Sequence, residues 1–104
     1  MPNFDDREKG FERKFALDQE SEFKATARRN RMLGEWAANL MQLENVADYA
    51  KAVVKSDFEQ PGDDDVLRKV LGDLKGAGLS TTEGEVRSKM DELLAIARGQ
   101  VSQG

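Results

Sequence analysis

Apolar residues recur at helical spacing along almost the whole chain, and this pattern restricts the fold more than any other feature. β-branched residues are few, and no segment alternates apolar and polar residues over several positions, so strands are not predicted. The two prolines, Pro2 and Pro61, lie outside every predicted helix. The 104 residues suffice for one small domain. The sequence therefore predicts a single all-α domain.

The spacing predicts a helical segment over about 4–17 and four further helices. These four span about 19–42, 45–59, 63–76 and 82–99, and the tail from Gly99 is expected to be loose. Because the linkers are short, the four helices should pack as antiparallel neighbours. We therefore expect a four-helix bundle over residues 20–104, preceded by a mobile or loosely attached N-terminal helical segment over residues 1–19.

Local signals mark where these helices begin and end. Capping side chains are predicted at Asn45, at Asp63 or Asp64, and at Ser80 or Thr82. Glycine in the run Gly76-Ala77-Gly78 should end the helix predicted over 63–76 with a left-handed cap. Trp36 and Tyr49 fall on apolar faces and are predicted to anchor the core.

The N-terminal segment carries a narrow aromatic stripe. Phe4, Phe11 and Phe15 share one side of a helix, and nearly all the residues between them are charged. Such a stripe cannot form a core alone, so it packs either on the rest of this chain or on a partner, and spacing does not decide between them. Gly10 disfavours the helix by about 1 kcal/mol relative to alanine. We expect the isolated segment to be frayed.

A basic run follows in the second predicted helix. Lys24, Arg28 and Arg31 share one helix face and form a possible anion-binding site for a phosphate or an acidic surface. The alternative is a solvated face on which these cations pair with Glu20, Glu22 and Glu35. An RNA-binding role for Arg28, Arg29 and Arg31 is weaker, because the net charge is −4 and no nucleic-acid motif is present.

Composition excludes several kinds of chemistry. The chain has no cysteine and no histidine, so thiol nucleophiles, disulfides and histidine acid–base catalysis are ruled out. Asp63, Asp64 and Asp65 lack the ligand spacing of a calcium loop, and no metal site is predicted. No apolar run approaches the roughly 20 residues of a membrane span. The expectation is a cytoplasmic protein that is not an enzyme and has no catalytic residues.

Three stretches carry a resemblance to a known family: FDDREKGFERKFALDQE, EFKATARRNRMLGEWAA and KSDFEQPGDDDVLRKV. In this order they resemble the zeta inhibitor subunit of the F-type ATP synthase of alphaproteobacteria, over Phe4 to about Arg98. The resemblance implies a four-helix bundle preceded by an inhibitory segment, here about Pro2 to Gln19. In that family the segment enters the catalytic head between the alpha and beta subunits, near gamma, and blocks rotation in the direction of hydrolysis.

The resemblance also implies contacts, ligands and location. Eight residues are expected to touch the partner: Phe4, Asp5, Asp6, Arg7, Phe11, Arg13, Lys14 and Phe15. The resemblance also implies interaction with adenine nucleotides, and a helical module that binds adenine nucleotide or another small ligand is the alternative function. No other cofactor is expected. Through the ATP synthase the protein would be peripheral to the inner membrane, without direct membrane contact.

Overall fold

The protein folds into four α-helices. The computed structural model describes the backbone of residues 4–59 and 61–103, and the side-chain surroundings of residues 19–59 and 61–102. The helices are α1 (Phe4–Leu40), α2 (Val46–Glu59), α3 (Asp63–Gly76) and α4 (Glu83–Gln103). Within the described backbone there is no strand. The predicted all-α fold is therefore confirmed.

Helix α1 is longer than predicted. The expected separation between a segment at 4–17 and a helix at 19–42 is absent, because α1 is one helix of 37 residues. No proline or glycine lies between Phe11 and Gly34, so nothing in this stretch breaks a helix. The division into residues 1–19 and 20–104 remains a functional prediction. The N-terminal segment was also expected to be mobile or loosely attached. That prediction depends on the side chains of residues 1–18, which lie outside the described residues.

Most of the predicted helix ends are correct. The Asn45 side chain accepts from the amide of Asp48 at 3.1 Å, and the Thr82 hydroxyl accepts from the amide of Glu85 at 3.2 Å. Gly78, with φ of 85°, follows α3, and the amide of Leu79 donates to the carbonyl of Leu74 at 3.1 Å. This is the glycine cap predicted for α3.

Two predicted ends are wrong. Gly62 precedes α3 as its N-cap, and no side chain caps this helix, so neither Asp63 nor Asp64 has the predicted capping role. Helix α4 continues through Gly99 to Gln103, where a loose tail was expected. The half-buried Val101 and the hydrogen bond from the Ser102 hydroxyl to the Gly99 carbonyl, at 3.1 Å, accompany this last turn.

The core lies where α1 packs against the other helices. α1 packs chiefly against α2 and α4. At Gly34 the approach is so close that an added Cβ would lie 2.6 Å from the Cα of Ala50. The buried cluster comprises Leu33, Ala37, Val53, Val66, Leu67, Val70, Leu74, Val86 and Met90. The middle and end of α1 are therefore an integral part of the bundle.

Trp36 and Tyr49 pack against this cluster but remain half-buried, so they border the core rather than fill it. The Tyr49 hydroxyl donates to Asp73 at 2.7 Å, and burial together with this hydrogen bond raises the pKa of Tyr49. Lys89 Nζ lies 5.8 Å from the centre of the Trp36 ring. Each aromatic ring thus has an apolar side on the core and a polar neighbour at the surface.

Candidate functional site

The eight predicted partner contacts all lie on the N-terminal part of α1. They are Phe4, Asp5, Asp6, Arg7, Phe11, Arg13, Lys14 and Phe15, and their side chains are outside the described residues. Their backbone belongs to the same helix as the bundle residues of α1. Whether the phenylalanines contact this chain or a partner therefore remains a prediction.

The position of the aromatic stripe on α1 follows from helix geometry. At 3.6 residues per turn, positions seven or four residues apart share a side, so the series 4, 11 and 15 continues at Glu22, Arg29 and Leu33. Arg29 and Leu33 are buried against the bundle. The spacing of positions 4, 11 and 15 therefore continues into positions that pack into the bundle further along α1.

A polar cluster with two buried members, Arg29 and Asn30, joins this part of α1 to the rest of the bundle. Arg29, only 2% exposed, donates from Nε to Asn30 at 2.9 Å and from Nη2 to Asp63 at 2.8 Å. Asn30 donates to one oxygen of Asp57 at 3.0 Å, and the Gly62 amide donates to the other at 3.3 Å. These bonds join α1 to the corner between α2 and α3.

The electrostatics of this cluster are dominated by Arg29. Its hydrogen bond and positive charge hold the pKa of the Asp63 carboxyl below its usual range, although partial burial opposes the shift. The sequence pattern grouped Arg29 with an exposed basic run and did not single out Asn30 or Asp57. The available signal was local: Arg29 follows the stripe spacing, whereas Lys24, Arg28 and Arg31 do not.

A second link lies nearer the N-terminal segment. Arg98 of α4 donates to both carboxylate oxygens of Glu22, at 3.1 and 2.6 Å. This bidentate hydrogen bond, followed by the charge of Arg98, lowers the pKa of Glu22. Ser21, Glu22, Arg98, Val101 and Ser102 line a cavity of about 250 Å³ here. The end of α4 thus contacts α1 just after residue 19.

The predicted anion-binding residues are exposed and have polar neighbours. Lys24 lies 3.4 Å from Glu20, and Arg31 lies 3.4 Å from Glu35, each one turn away on α1. Arg28 donates to Gln100 of α4 at 3.5 Å. The first two contacts match the solvated-face alternative, which also predicted Glu20 and Glu35 as partners. Anion binding by Lys24, Arg28 and Arg31 remains a prediction.

The three aspartates at the start of α3 form ion pairs with arginines of three different helices. Asp63 pairs with Arg29 of α1, Asp64 with Arg87 of α4 at 3.1 Å, and Asp65 with Arg68 of α3 at 2.8 Å. Their place in the first turn is also favourable for the helix dipole. Their contacts are those of a connecting point between helices. Among the described residues no group of acidic side chains is placed to hold a metal ion.

One exposed surface is aromatic. Phe23 of α1 and Phe58 of α2 are 59% and 63% exposed, and their rings meet edge to face with centroids 5.8 Å apart. The pair borders a cavity of about 200 Å³ between the two helices.

In the described part of the chain, no helix is long and apolar enough to cross a bilayer.

Together these features define a class: an all-α bundle protein whose long first helix extends from the core. The chain belongs to the family of ATPase inhibitor subunit zeta, whose model matches residues 1–100. A solved solution NMR structure is 45% identical and covers 79% of this chain and 95% of its own, with a TM-score of 0.66. No curated protein matches the chain significantly. The family implies association with ATP synthase.

Proposed function

We propose that this chain inhibits ATP hydrolysis by the F-type ATP synthase by inserting residues 1–19 at the catalytic interface between alpha, beta and gamma. One observation carries the proposal: the family match begins at residue 1 and continues to residue 100, so it includes the aromatic segment as well as the bundle. An inhibitor of this family needs a part that enters the enzyme and a part that remains outside. α1 contributes to both.

The continuity of α1 supports insertion of the segment as a helix joined directly to the bundle. Residues 4–18 have a length of about 22 Å at 1.5 Å per residue. Three residues of α1 attach this helix to the bundle. Leu33 packs in the core, Arg29 pairs with Asp63 at the α2–α3 corner, and Glu22 pairs with Arg98 of α4. A load on the inserted part is thus transmitted to the folded bundle.

The proposed inhibition is a wedge. A catalytic interface opens and closes in each rotary step, and a helix bound to one of these states raises the free energy needed to reach the next. The inhibitor has only to bind the blocked state more tightly than the following one. Phe4, Phe11 and Phe15 anchor the helix by apolar burial, while Asp5, Asp6, Arg7, Arg13 and Lys14 set its position against charged groups of the subunits.

The test is ATP hydrolysis by the purified ATP synthase with the intact chain and with a chain lacking residues 2–19. The intact chain should inhibit and the shortened chain should not, while circular dichroism shows that its helices persist. Replacing Phe11 and Phe15 by alanine should weaken inhibition by about 10- to 100-fold, as for anchor residues of other interfaces. The matched control is Ile96→Ala, an exposed apolar position on α4.

Equal inhibition by the intact and shortened chains would show that the active part lies elsewhere. Inhibition by neither would remove the proposal altogether. Measuring ATP synthesis in parallel separates a block of rotation in the hydrolysis direction from a general loss of enzyme activity.

A further inference from the structure

The Phe23–Phe58 pair is an aromatic surface of the bundle. No other side chain in the described part of the chain shields these two rings completely from solvent. More than half of each side chain is exposed, although the two rings come from different helices and touch each other. Burying such rings against an apolar surface is favourable, because it removes apolar area from water. Aromatic residues, phenylalanine included, are also enriched in the cores of protein interfaces.

The groove beside the pair suits an apolar occupant. Ala27, Val54 and Pro61 contribute to its lining. Three polar residues also line it, Thr26, Asn30 and Asp57. Two of them, Asn30 and Asp57, are already hydrogen-bonded to each other at 3.0 Å. A charged ligand would find few free partners there, whereas an apolar side chain would leave these bonds intact.

The groove lies next to the proposed inhibitory segment. Phe23 follows Phe15 by eight residues, which is about 12 Å along the helix axis and about 80° around it. A surface that contacts α1 along residues 4–15 therefore reaches the groove after a quarter-turn around the same helix. One partner surface that extends about 12 Å further along α1 and a quarter-turn around it can therefore contact both sites.

The three phenylalanines of the segment do not by themselves supply the area of a standard interface. Three phenylalanines supply about 450–750 Å² of buried surface. A standard interface needs about 800 Å² from each partner. The exposed parts of Phe23 and Phe58, 59% and 63% of the two residues, would bring this apolar area into that range.

We infer that the Phe23–Phe58 groove is a second contact with the same enzyme, in which an exposed apolar side chain of an alpha or beta subunit occupies the groove while residues 1–19 are inserted. This inference rests on the proposed function. Binding at one site raises the effective concentration at the other, so the two contacts together give tighter inhibition than either alone. The bundle is then a second anchor as well as a carrier of the inhibitory helix.

The test measures the dissociation constant of the full-length chain for the purified catalytic head. Phe58→Ala is the most direct variant, because Phe58 lies on α2 and its removal leaves the whole of α1 unchanged. We expect about 5- to 10-fold weaker binding for Phe58→Ala and about 10- to 100-fold for Phe23→Ala/Phe58→Ala. Ile96→Ala, at an apolar position of α4 that is 44% exposed, should bind like the natural chain.

A cross-linking experiment does not depend on loss of affinity. A photoreactive residue at position 58 of the full-length chain should label an alpha or beta subunit, and one at position 96 should label neither. Labelling at position 58 also tests the inference if the double variant fails to fold.

The outcomes separate the two proposals. If Phe58→Ala binds and inhibits like the natural chain and position 58 labels no subunit, the second contact is wrong and the proposed function stands. If the natural chain neither binds nor inhibits, both are wrong. If sedimentation shows a dimer that Phe23→Ala/Phe58→Ala dissociates without changing affinity for the head, a second copy occupies the groove and the inference is wrong.

Discussion

Arg29 and Asn30 are polar residues at positions where the rest of α1 contributes apolar side chains to the bundle. Both are almost completely buried, and both are hydrogen-bonded. An unpaired buried guanidinium would be strongly destabilising, so Asp63 and Asn30 are required once Arg29 is in place. The cluster thereby specifies how the α2–α3 corner meets α1. At the scale of single residues, this contact and the close approach at Gly34 determine the geometry of the bundle.

Asp63→Asn tests the charge of this cluster through pH. Because Arg29 lowers the folded pKa of Asp63, its carboxylate contributes stability above its unfolded pKa of about 3.9, and this contribution is lost as pH falls through the folded pKa. The variant should be less stable than the natural chain at pH 7, and the difference should shrink below about pH 4. Urea unfolding between pH 7 and pH 3 measures this.

Asp91→Asn, at an exposed position of α4, is the matched control and should keep the natural pH dependence. A constant difference between the natural chain and Asp63→Asn over the whole range would contradict the role assigned to the Asp63 charge.

Gly34→Ala tests the contact between α1 and α2. The new Cβ would lie 2.6 Å from the Cα of Ala50 and 3.2 Å from Cγ2 of Val53. Because backbone must move, we expect a loss of about 1–3 kcal/mol in the free energy of unfolding, despite the better helix propensity of alanine. Thermal or urea unfolding measures it.

Gly72→Ala provides the opposite control within α3, because an added Cβ there has no neighbour within 4 Å. Alanine should stabilise this position by up to about 1 kcal/mol. If both variants were stabilised, the close helix approach at Gly34 would be wrong.

At the scale of elements, α1 has two different surroundings along its length. From Ala25 to Ala38 it contributes buried side chains to the bundle, and at Glu22 it is linked to α4. The proposed inhibitory residues precede these contacts on the same helix. The stiffness of the connection between the two parts therefore decides how a force on the N-terminal part reaches the bundle.

Gln19→Pro tests this stiffness. Proline in a helix interior removes a backbone hydrogen bond, clashes with the carbonyl four residues earlier and costs about 3 kcal/mol or more. Gln19 is exposed, so the bundle should keep its unfolding midpoint. Inhibition of ATP hydrolysis should weaken by about 10-fold or more, because the helix no longer enters the enzyme in a defined direction.

Gln19→Ala should inhibit like the natural chain, because alanine preserves the helix. Full inhibition by Gln19→Pro would show that the segment acts as a flexible arm, and the wedge would then need another means of resisting rotation.

At the scale of the whole molecule, all four helices share one buried cluster. Leu33, Val53, Leu74 and Val86 belong to it, one from each helix in chain order. A domain of this size has a free energy of unfolding of about 5–15 kcal/mol. Small single domains of this kind usually unfold without populated intermediates. The bundle should therefore unfold in one cooperative step.

Amide hydrogen exchange tests this cooperativity. Amides of Leu33, Val53, Leu74 and Val86 should exchange with the same free energy, equal to that of global unfolding. We expect much faster exchange for residues 4–17, because Gly10 disfavours the helix there and helix ends fray. Core amides of α1 that exchange with much lower free energy than those of α3 would contradict the single core.

The all-α class, most helix ends and the family resemblance were accessible from the chain because they depend on residues a few positions apart. Asn45, Thr82 and Gly78 act on the nearest turn of helix, and the stretches that carry the resemblance are contiguous. The roles of Arg29 and Asn30 were not accessible, since their partners lie 34 and 27 residues away. Asp63 and Asp64 were predicted to be helix caps because their ion-pair partners, on α1 and α4, are also distant in the sequence. The exposed Phe23–Phe58 pair emerged only when two helices were packed together, because contacts between distant residues depend on how the elements meet in space.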